Sequence, residues 1–416
     1  MPKNSNALTE QGLKNIELAE RNMGALQKIR ERFKKEKPFK GLKIGMALHI
    51  TKETAVLVRT LTDAGASVAI CSCNPLSTQD DVASALSKEK NVLVYGYKGE
   101  TTKEYYEFLN HVALSNPDVV IDDGCDLVTI LMTKYPAFAK KVLGGCEETT
   151  TGVMRLRAME KSKALPFPMI AVNDNKTKHL MDNLYGTGQS TLDGILRTTN
   201  MMFAGKTAVV AGYGSCGKGV SMRLRGHGAN VIVTEVDPFR ALQANMDGFR
   251  VMPMIKASPL GDLFVTVTGD IDVITLEHVK LMKNGAILCN SGHFDSEIDV
   301  KAIRSGAKSA RAIRPQMEEF LMKDEKVVYI LGEGRLINLA GAEGHPSEVM
   351  SLSFCGQALA CEYLIKNHKK LGKSVYTLPE QIDTDISTLH LKANGIQIDS
   401  LSSKQKKYLS SWTSGT

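Results

Sequence analysis

Apolar positions fall into recurring patterns along the chain. From residue 13 to 35 they recur at Ile16, Ala19, Met23, Leu26, Ile29 and Phe33, which predicts one amphipathic helix behind a loose polar segment, residues 1–12. Four short apolar runs follow, at 44–48, 68–71, 92–95 and 119–121, separated by stretches of helical length and composition. Strands alternating with helices predict a parallel sheet. Residues 207–237 repeat the alternation: an apolar run from Ala208 to Ala211, a turn through Gly212, Gly214 and Gly217, a helical stretch, and a second apolar run ending at Glu235. Residues 264–270 and 286–295 read as later strands of the same unit, and 188–205 and 352–364 as helices. The pattern predicts an α/β protein with two doubly wound, Rossmann-like parallel sheets. Ligands of such sheets meet the loops at the carboxyl ends of the strands.

The glycine turn carries the clearest chemistry. Glycines let a strand-to-helix turn close tightly and bring backbone N–H groups and a helix N-terminus up to a pyrophosphate. Glu235 lies about 20 residues on, where a carboxylate accepts from ribose hydroxyls. A lone GxGxxG is weak evidence, since a tight turn between packed elements needs glycines too. Strand, helix and trailing acid together predict a dinucleotide, and Glu235 would repel a 2′-phosphate, favouring NAD over NADP. Arg240 nearby could accept such a phosphate, or be a solvated charge opening the next helix.

Composition narrows the class. The chain has 416 residues, long enough for two or three domains, with 43% apolar and 23% charged residues as in soluble globular proteins. A formal charge of +7 spread over scattered lysines does not indicate a nucleic-acid partner. The N-terminus has no signal-peptide core, and no apolar run approaches a membrane span. The eight cysteines show no CxxC spacing, which suits reduced thiols in a cytoplasmic enzyme. There is no zinc-ligand spacing, and no metal is expected.

Polar and titratable residues gather in the predicted loops: His49, Thr51 and Glu53 after the first run, Ser77 and Gln79 after the second, Asp122 and Asp123 after the fourth. GGCEETTTG (144–152) reads on composition as a capped helix start. In NDNKTKHLMDN (173–183), Lys178 and Asp182 would share a helical face, either as a surface ion pair or as a pair held for proton transfer. His293, between small residues at a strand end, is a better site candidate than a histidine on a helix.

LHITKETAVL, SCNPLSTQD, DDGCDL, EETTTGV, VNDNKTK with MDNLYG, VAGYGSCGKG, TEVDP, CNSGHFD followed by EID, and EGRLINL with GHPSEVM occur in this order. Together they resemble the S-adenosyl-L-homocysteine hydrolase family, from about residue 13 to 411. Glycine-turn chemistry alone would point to a conventional NAD-dependent dehydrogenase. The resemblance implies a substrate domain in two pieces, 1–185 and 346–390, an NAD domain, 186–345, inserted between them, and an oligomerisation segment, 391–416, in a homotetramer. It implies tightly bound NAD, one per subunit, and reversible hydrolysis of the thioether through 3′-oxidation, elimination, water addition and re-reduction. Lys178 with Asp182 is then expected to handle the 3′-hydroxyl proton, and Asp123 with His49 the C4′ proton and the sulfur or water. His293 would lie near the reacting 3′ and 5′ region. Thr51 and Glu148 would hold ribose hydroxyls, and Glu53 the adenine amino group. Thr149, Thr150, Thr151, Asn183, Gly214, Ser215, Cys216, Gly217, Lys218, Gly219, Glu235, Arg240, Asp270, Ser291, Gly292, His293, Asn338 and His345 would line the NAD, with His345 also touching the purine.

Several positions depart from the animal-type pattern. Ser215 and Cys216 stand where Asp and Val are usual, Arg240 replaces Asn, Thr187 and Asp270 replace cysteines near the nicotinamide, and Glu343 replaces a methionine on the purine side. The sequence ends at LSSWTSGT without the Lys and Tyr that family members lend to a neighbouring subunit's NAD. This resembles archaeal or thermophilic-bacterial members, some of which prefer the inosine analogue, S-inosyl-L-homocysteine. Glu53, an acceptor, argues for adenine.

Overall fold

The computed structural model describes residues 2–3 and 5–413. Two sheets organise it, as the apolar pattern predicts. The first is built from β1 (Lys43–Ala47), β2 (Ser67–Cys71), β3 (Val92–Tyr95), β4 (Val119–Asp122), β5 (Gly144–Glu147) and β6 (Met169–Ala171). The second takes β7 (Thr207–Ala211), β8 (Asn230–Thr234), β9 (Arg250–Val251), β10 (Leu263–Thr266), β11 (Ala286–Asn290), β12 (Ala307–Arg314), β13 (Met317–Met322) and β14 (Val327–Leu331). A last strand, β15 (Val375–Tyr376), returns to the first sheet and pairs in parallel with β6.

The first sheet runs β15-β6-β5-β4-β1-β2-β3, and the second runs β12-β13-β14-β11-β10-β7-β8-β9. In each, the winding direction reverses between the first strand and the fourth: β1 and β4 pair in one sheet, β7 and β10 in the other. A crevice opens at such a reversal because the flanking loops leave in opposite directions. Among the described residues only β13 runs against the rest, pairing antiparallel with β12 and with β14. The sequence reading has no counterpart for β12, whose residues are mostly exposed and so leave no apolar run.

Helix Ser347–Asn367 belongs to the first sheet although it follows the second in sequence. Its Phe354, Cys355, Ala358 and Leu364 are buried in one core with Ile16, Leu26 and Phe33 from the N-terminal helices and Ile44 and Ile121 from the strands. Each such side chain removed from water is worth about 1.5–3 kcal/mol, so this returning helix is integral to the first lobe.

The single N-terminal helix of the sequence reading is two helices, Asn6–Arg21 and Gly24–Glu36. Asn22 closes the first, donating its N–H to the Ala19 carbonyl while Met23 N–H donates to Glu20, and Gly24, a weak helix former, begins the second. Nor are residues 5–12 loose: Ser5 caps the first helix at Leu8 N, and Gly12 packs so closely that a Cβ would lie 2.0 Å from the Asp81 carbonyl oxygen. Among the described residues no helix is long and apolar enough to cross a membrane, and all eight cysteines are free thiols.

Candidate active site

The carboxyl ends of both sheets face one cleft of about 1120 Å³. Strand ends deliver its chemistry. His49 follows β1 and Asp123 follows β4, so the strand pairing that reverses the first sheet sets them side by side. The His49 Nε2 to Asp123 Oδ2 distance is 3.4 Å, and His293, after β11 of the other sheet, brings its Nδ1 to 3.4 Å from Asp123 Oδ1. His49 Nδ1 pairs with Ser77 Oγ at 2.7 Å and lies 3.2 Å from Cys73 Sγ. Burial pushes the His49 imidazole down to about 4, against the pull of Asp123, so the ring is neutral at pH 7. His49, Cys73 and Asp123 offer donor atoms within 4.8 Å of one another. Their mutual hydrogen bonds already satisfy them.

A second cluster forms where β6 leads into a short helix, Lys176–His179, and then a π-helical turn, Asp182–Gly186. The i, i+4 pair is real and buried: Lys178 Nζ is 2.6 Å from Asp182 Oδ2, 2.8 Å from Asn183 Oδ1 and 3.4 Å from Glu148 Oε1. Burial alone would lower the lysine; Asp182 and Glu148 reverse that and raise it above its ordinary range. Asp182 is held below the usual carboxylate range, burial notwithstanding, by Lys178 and His345, whose Nδ1 touches its other oxygen. This is a buried ion pair with every partner in place, the condition under which such a pair persists.

Beneath the first cluster sit two further acids. Glu147 accepts from the backbone N–H groups of Gly124 at 2.8 Å and Thr149 at 3.0 Å, tying the Asp123 loop to the Thr149 loop. Asp122 accepts from Asp123 N at 3.0 Å and Val128 N at 2.8 Å. Burial raises both, Asp122 to about 7. The helix start expected at GGCEETTTG is present behind strand β5: helix Thr150–Lys161 follows Thr149 in the N-cap position, though the Thr149 side chain makes no capping hydrogen bond.

The second sheet supplies the cofactor half. Gly212 turns with a φ of 103°, Gly217 leaves room for the Gly212 carbonyl, 1.9 Å from where a Cβ would stand, and helix Ser215–Gly226 aims its N-terminus at the cleft. Glu235 lies just past β8 and accepts from Tyr213 N, Val236 N and Asp237 N, which anchors a carboxylate at the cleft wall. Two buried polar atoms on the lining have no protein partner, Thr151 Oγ1 and Asn338 Oδ1. An anion-binding turn, a ribose-directed carboxylate and unpaired polar atoms fit a dinucleotide.

All but three of the sequence-predicted site residues line this cleft. Gly217, Lys218 and Gly219 lie behind it: Gly219 packs on the Leu184 carbonyl, 1.9 Å from its ideal Cβ, and Lys218 reaches Asp247 at 3.4 Å. Thr51 lines the cleft and also caps the helix Lys52–Asp63, accepting from Thr54 N. Ser77, expected in the loop after the second run, does contact His49. Sequence reasoning missed Cys73, which also contacts His49, and Ser353 and Gln357, which donate to the two oxygens of Glu148 from helix Ser347–Asn367. SCNPLSTQD contains Cys73. No motif signalled Ser353 or Gln357.

Residues 183–344 match the family profile described as S-adenosyl-L-homocysteine hydrolase, NAD binding domain, and residues 4–135 match that of S-adenosyl-L-homocysteine hydrolase. Similarity to whole relatives is closer still. The S-inosyl-L-homocysteine hydrolase of Methanocaldococcus jannaschii is 58% identical over 98% of each chain. The adenosylhomocysteinase of Aquifex aeolicus is 58% identical over 99% of this chain and 98% of the relative. This chain belongs to the S-adenosyl-L-homocysteine hydrolase family. The adenosylhomocysteinase of Archaeoglobus fulgidus, 54% identical over 98% of this chain and all of its own, is a further relative. The matched NAD-binding region spans the whole second sheet, and both titratable clusters open on the cleft it shares with the first.

Proposed function

We propose that this chain reversibly hydrolyses S-adenosyl-L-homocysteine to adenosine and L-homocysteine, holding NAD tightly on the second sheet. The observation that carries this reading is that the Lys178–Asp182 and His49–Asp123–His293 clusters both open on the cleft that the dinucleotide turn enters. Thr149, Asn183, Glu235, Ser291, Asn338 and His345 would hold the cofactor. When bound, NAD supplies a two-electron acceptor for C3′ of the ribose and returns the pair at the end, so the cycle has no net redox change.

The remaining demands fall on side chains. Lys178 and Asp182 exchange the 3′-hydroxyl proton: the ammonium stabilises the developing alkoxide, and the carboxylate 2.6 Å away shares the proton. With C3′ a carbonyl, the C4′ proton is acidic, and Asp123 accepts it. Neutral His49, 3.4 Å from Asp123, exchanges protons with the leaving sulfur and with the water that replaces it. His293 closes the site from the other sheet. Glu148, fixed by Ser353 and Gln357, holds ribose hydroxyls, and Glu53 receives the purine.

We divide the chain into substrate-binding pieces, 1–185 and 346–390, an NAD-binding domain, 186–345, and a C-terminal segment, 391–416, that pairs subunits of a cytoplasmic homotetramer. Exposed Ile398, Leu409 and Trp412, an apolar surface that a second copy would cover, support the last assignment. Residues 414–416 lie outside the described residues.

Incubating the purified protein with L-homocysteine plus adenosine, and separately plus inosine, tests the reading: thioether forms in the first. Accumulation of free NADH without thioether would instead indicate a conventional dehydrogenase. The inosine arm is included because relatives at 58% identity carry both names.

A further inference from the structure

Gly124, the residue after the proposed base Asp123, is held at both of its backbone groups. Its N–H donates to Glu147 Oε1 at 2.8 Å, and its carbonyl accepts from Arg155 Nη1. Both grips lead to one element. Glu147 Oε1 also accepts from Thr149 N at 3.0 Å, Thr149 is the N-cap residue of helix Thr150–Lys161, and Arg155 stands on that helix. The first turn of the helix, with Thr149, Thr150 and Thr151, lines the cleft where NAD is expected. A single helix thus meets the cofactor at its start and the base loop through two side chains.

The fit leaves the loop little freedom. Gly124 has a φ of 107°, and a Cβ there would stand 2.4 Å from His293 Nε2, so the loop is wedged under a ring from the other sheet. Glu147 is fully buried in space that Gly152 leaves open, where a Cβ would lie 2.2 Å from the Glu147 Cδ. Arg155 is steadied by Asp126 Oδ1 at 2.6 Å and Thr129 Oγ1 at 3.1 Å. Burial, then Asp122 and Asp123, raise the Glu147 carboxyl well above the usual range. Its Oε2 has no hydrogen-bond partner, whereas a buried carboxylate would need both oxygens satisfied. The group therefore serves as an acceptor at Oε1 and not as a charge.

We propose that Glu147 is a positioning residue: with Arg155 as a second strut, it yokes the Asp123 loop to the cofactor-facing start of helix Thr150–Lys161, so that NAD in the cleft fixes where the base stands. The inference rests on the proposed function and extends it from which groups react to what keeps them in register. Register matters because a misplacement of about 1 Å costs a proton transfer roughly 10²-fold.

Two readouts follow the yoke. The first is amide hydrogen exchange of segment 122–128 in the NAD-free and NAD-loaded protein, read by mass spectrometry. NAD should slow exchange of this segment about fivefold or more in the wild type, and less than about twofold in Glu147→Ala with NAD still bound. The second compares two partial reactions of the NAD-loaded protein given adenosine in D₂O: reduction of bound NAD, and exchange of the C4′ hydrogen. Glu147→Ala should slow C4′ exchange at least about tenfold more than NAD reduction. Glu147→Gln, which keeps an accepting oxygen in the same place, should recover it to within about threefold. Should Glu147→Ala fail to fold, Glu147→Asp, which withdraws the oxygen by one methylene, takes its place with the same expectations. The inference alone is overturned if NAD leaves segment 122–128 of the wild type unprotected, if protection or C4′ exchange is undiminished in the Ala or Asp variant, or if Gln does not recover the exchange. A wild type that never exchanges C4′, whether or not it reduces NAD, overturns the proposed function with it.

Discussion

The two sheets wind the same way and reverse at the same place, yet their crevices carry opposite chemistry. At the β7/β10 reversal the chain offers absence: Gly212 takes a positive φ and Gly217 lets the helix pack on the Gly212 carbonyl, so the turn closes and sets the helix N-terminus at the cleft. At the β1/β4 reversal it offers titratable groups, His49 and Asp123, braced by Cys73, Ser77 and the buried acids below. On the proposed function, one topology supplies a binding crevice and a reacting crevice, and what differs is whether the loops after the strands are empty or charged. A redox cofactor needs a close-fitting backbone, whereas proton transfer needs groups whose charge the surroundings can adjust.

Predictions that break or sharpen this contrast can be ranked by size. The largest effects belong to the reacting crevice. Lys178→Met and Asp123→Asn should each cut turnover by roughly 10² to 10⁴. The first should abolish reduction of bound NAD, and the second should retain partial reduction without thiol release, read by stopped-flow absorbance and thiol titration. Identical behaviour of the two variants would dissolve the division of labour.

Next comes the binding crevice. Gly217→Ala places a Cβ 1.9 Å from the Gly212 carbonyl oxygen and should cost about 3 kcal/mol, with most of the bound NAD lost. Gly214→Ala, whose Cβ would meet nothing nearer than Arg240 Nη1 at 3.5 Å, should cost less than about 1 kcal/mol. Thermal unfolding and cofactor released by acid measure both; equal losses would show that close approach is not what these glycines provide.

A third test uses acid. His49 is lowered from 6.5 to about 4 in the folded protein. The unfolded chain therefore takes up a proton that the folded one refuses, and stability falls as pH drops from 6.5 to 4, levelling off below that, by about 3 kcal/mol. His49→Asn should remove this part of the acid slope in denaturant titrations at pH 7, 5.5 and 4. The smallest effect is expected for Ser353→Ala, which removes one of the two donors to Glu148. It should cost about 1 kcal/mol, seen as a raised KM for nucleoside with kcat little changed.

Much of this was legible in one dimension. Strand runs at 44–48, 68–71, 92–95 and 119–121 appear as β1 to β4, and Lys178 and Asp182 meet as their spacing implied, because hydrophobic period and helical pitch are local properties. The single N-terminal helix was misread for an equally local reason: apolar periodicity runs on past Asn22, where capping hydrogen bonds end the helix. Strand β12 was invisible because its side chains face solvent.

By itself the sequence determined the alternation of strands and helices, the glycine turn, and which loops carry acids, histidines and lysine. Only the tertiary structure decided that Ser353 and Gln357 secure Glu148 from about 200 residues away, that His345 crosses to Asp182, that Lys218 faces away from the cleft, and that Lys52 stands beside Glu53 and Glu343 together. The reason is physical: a side chain's hydrogen-bond partners and its pKa depend on burial and on charges brought near by chain reversal, and neither follows from distance along the chain.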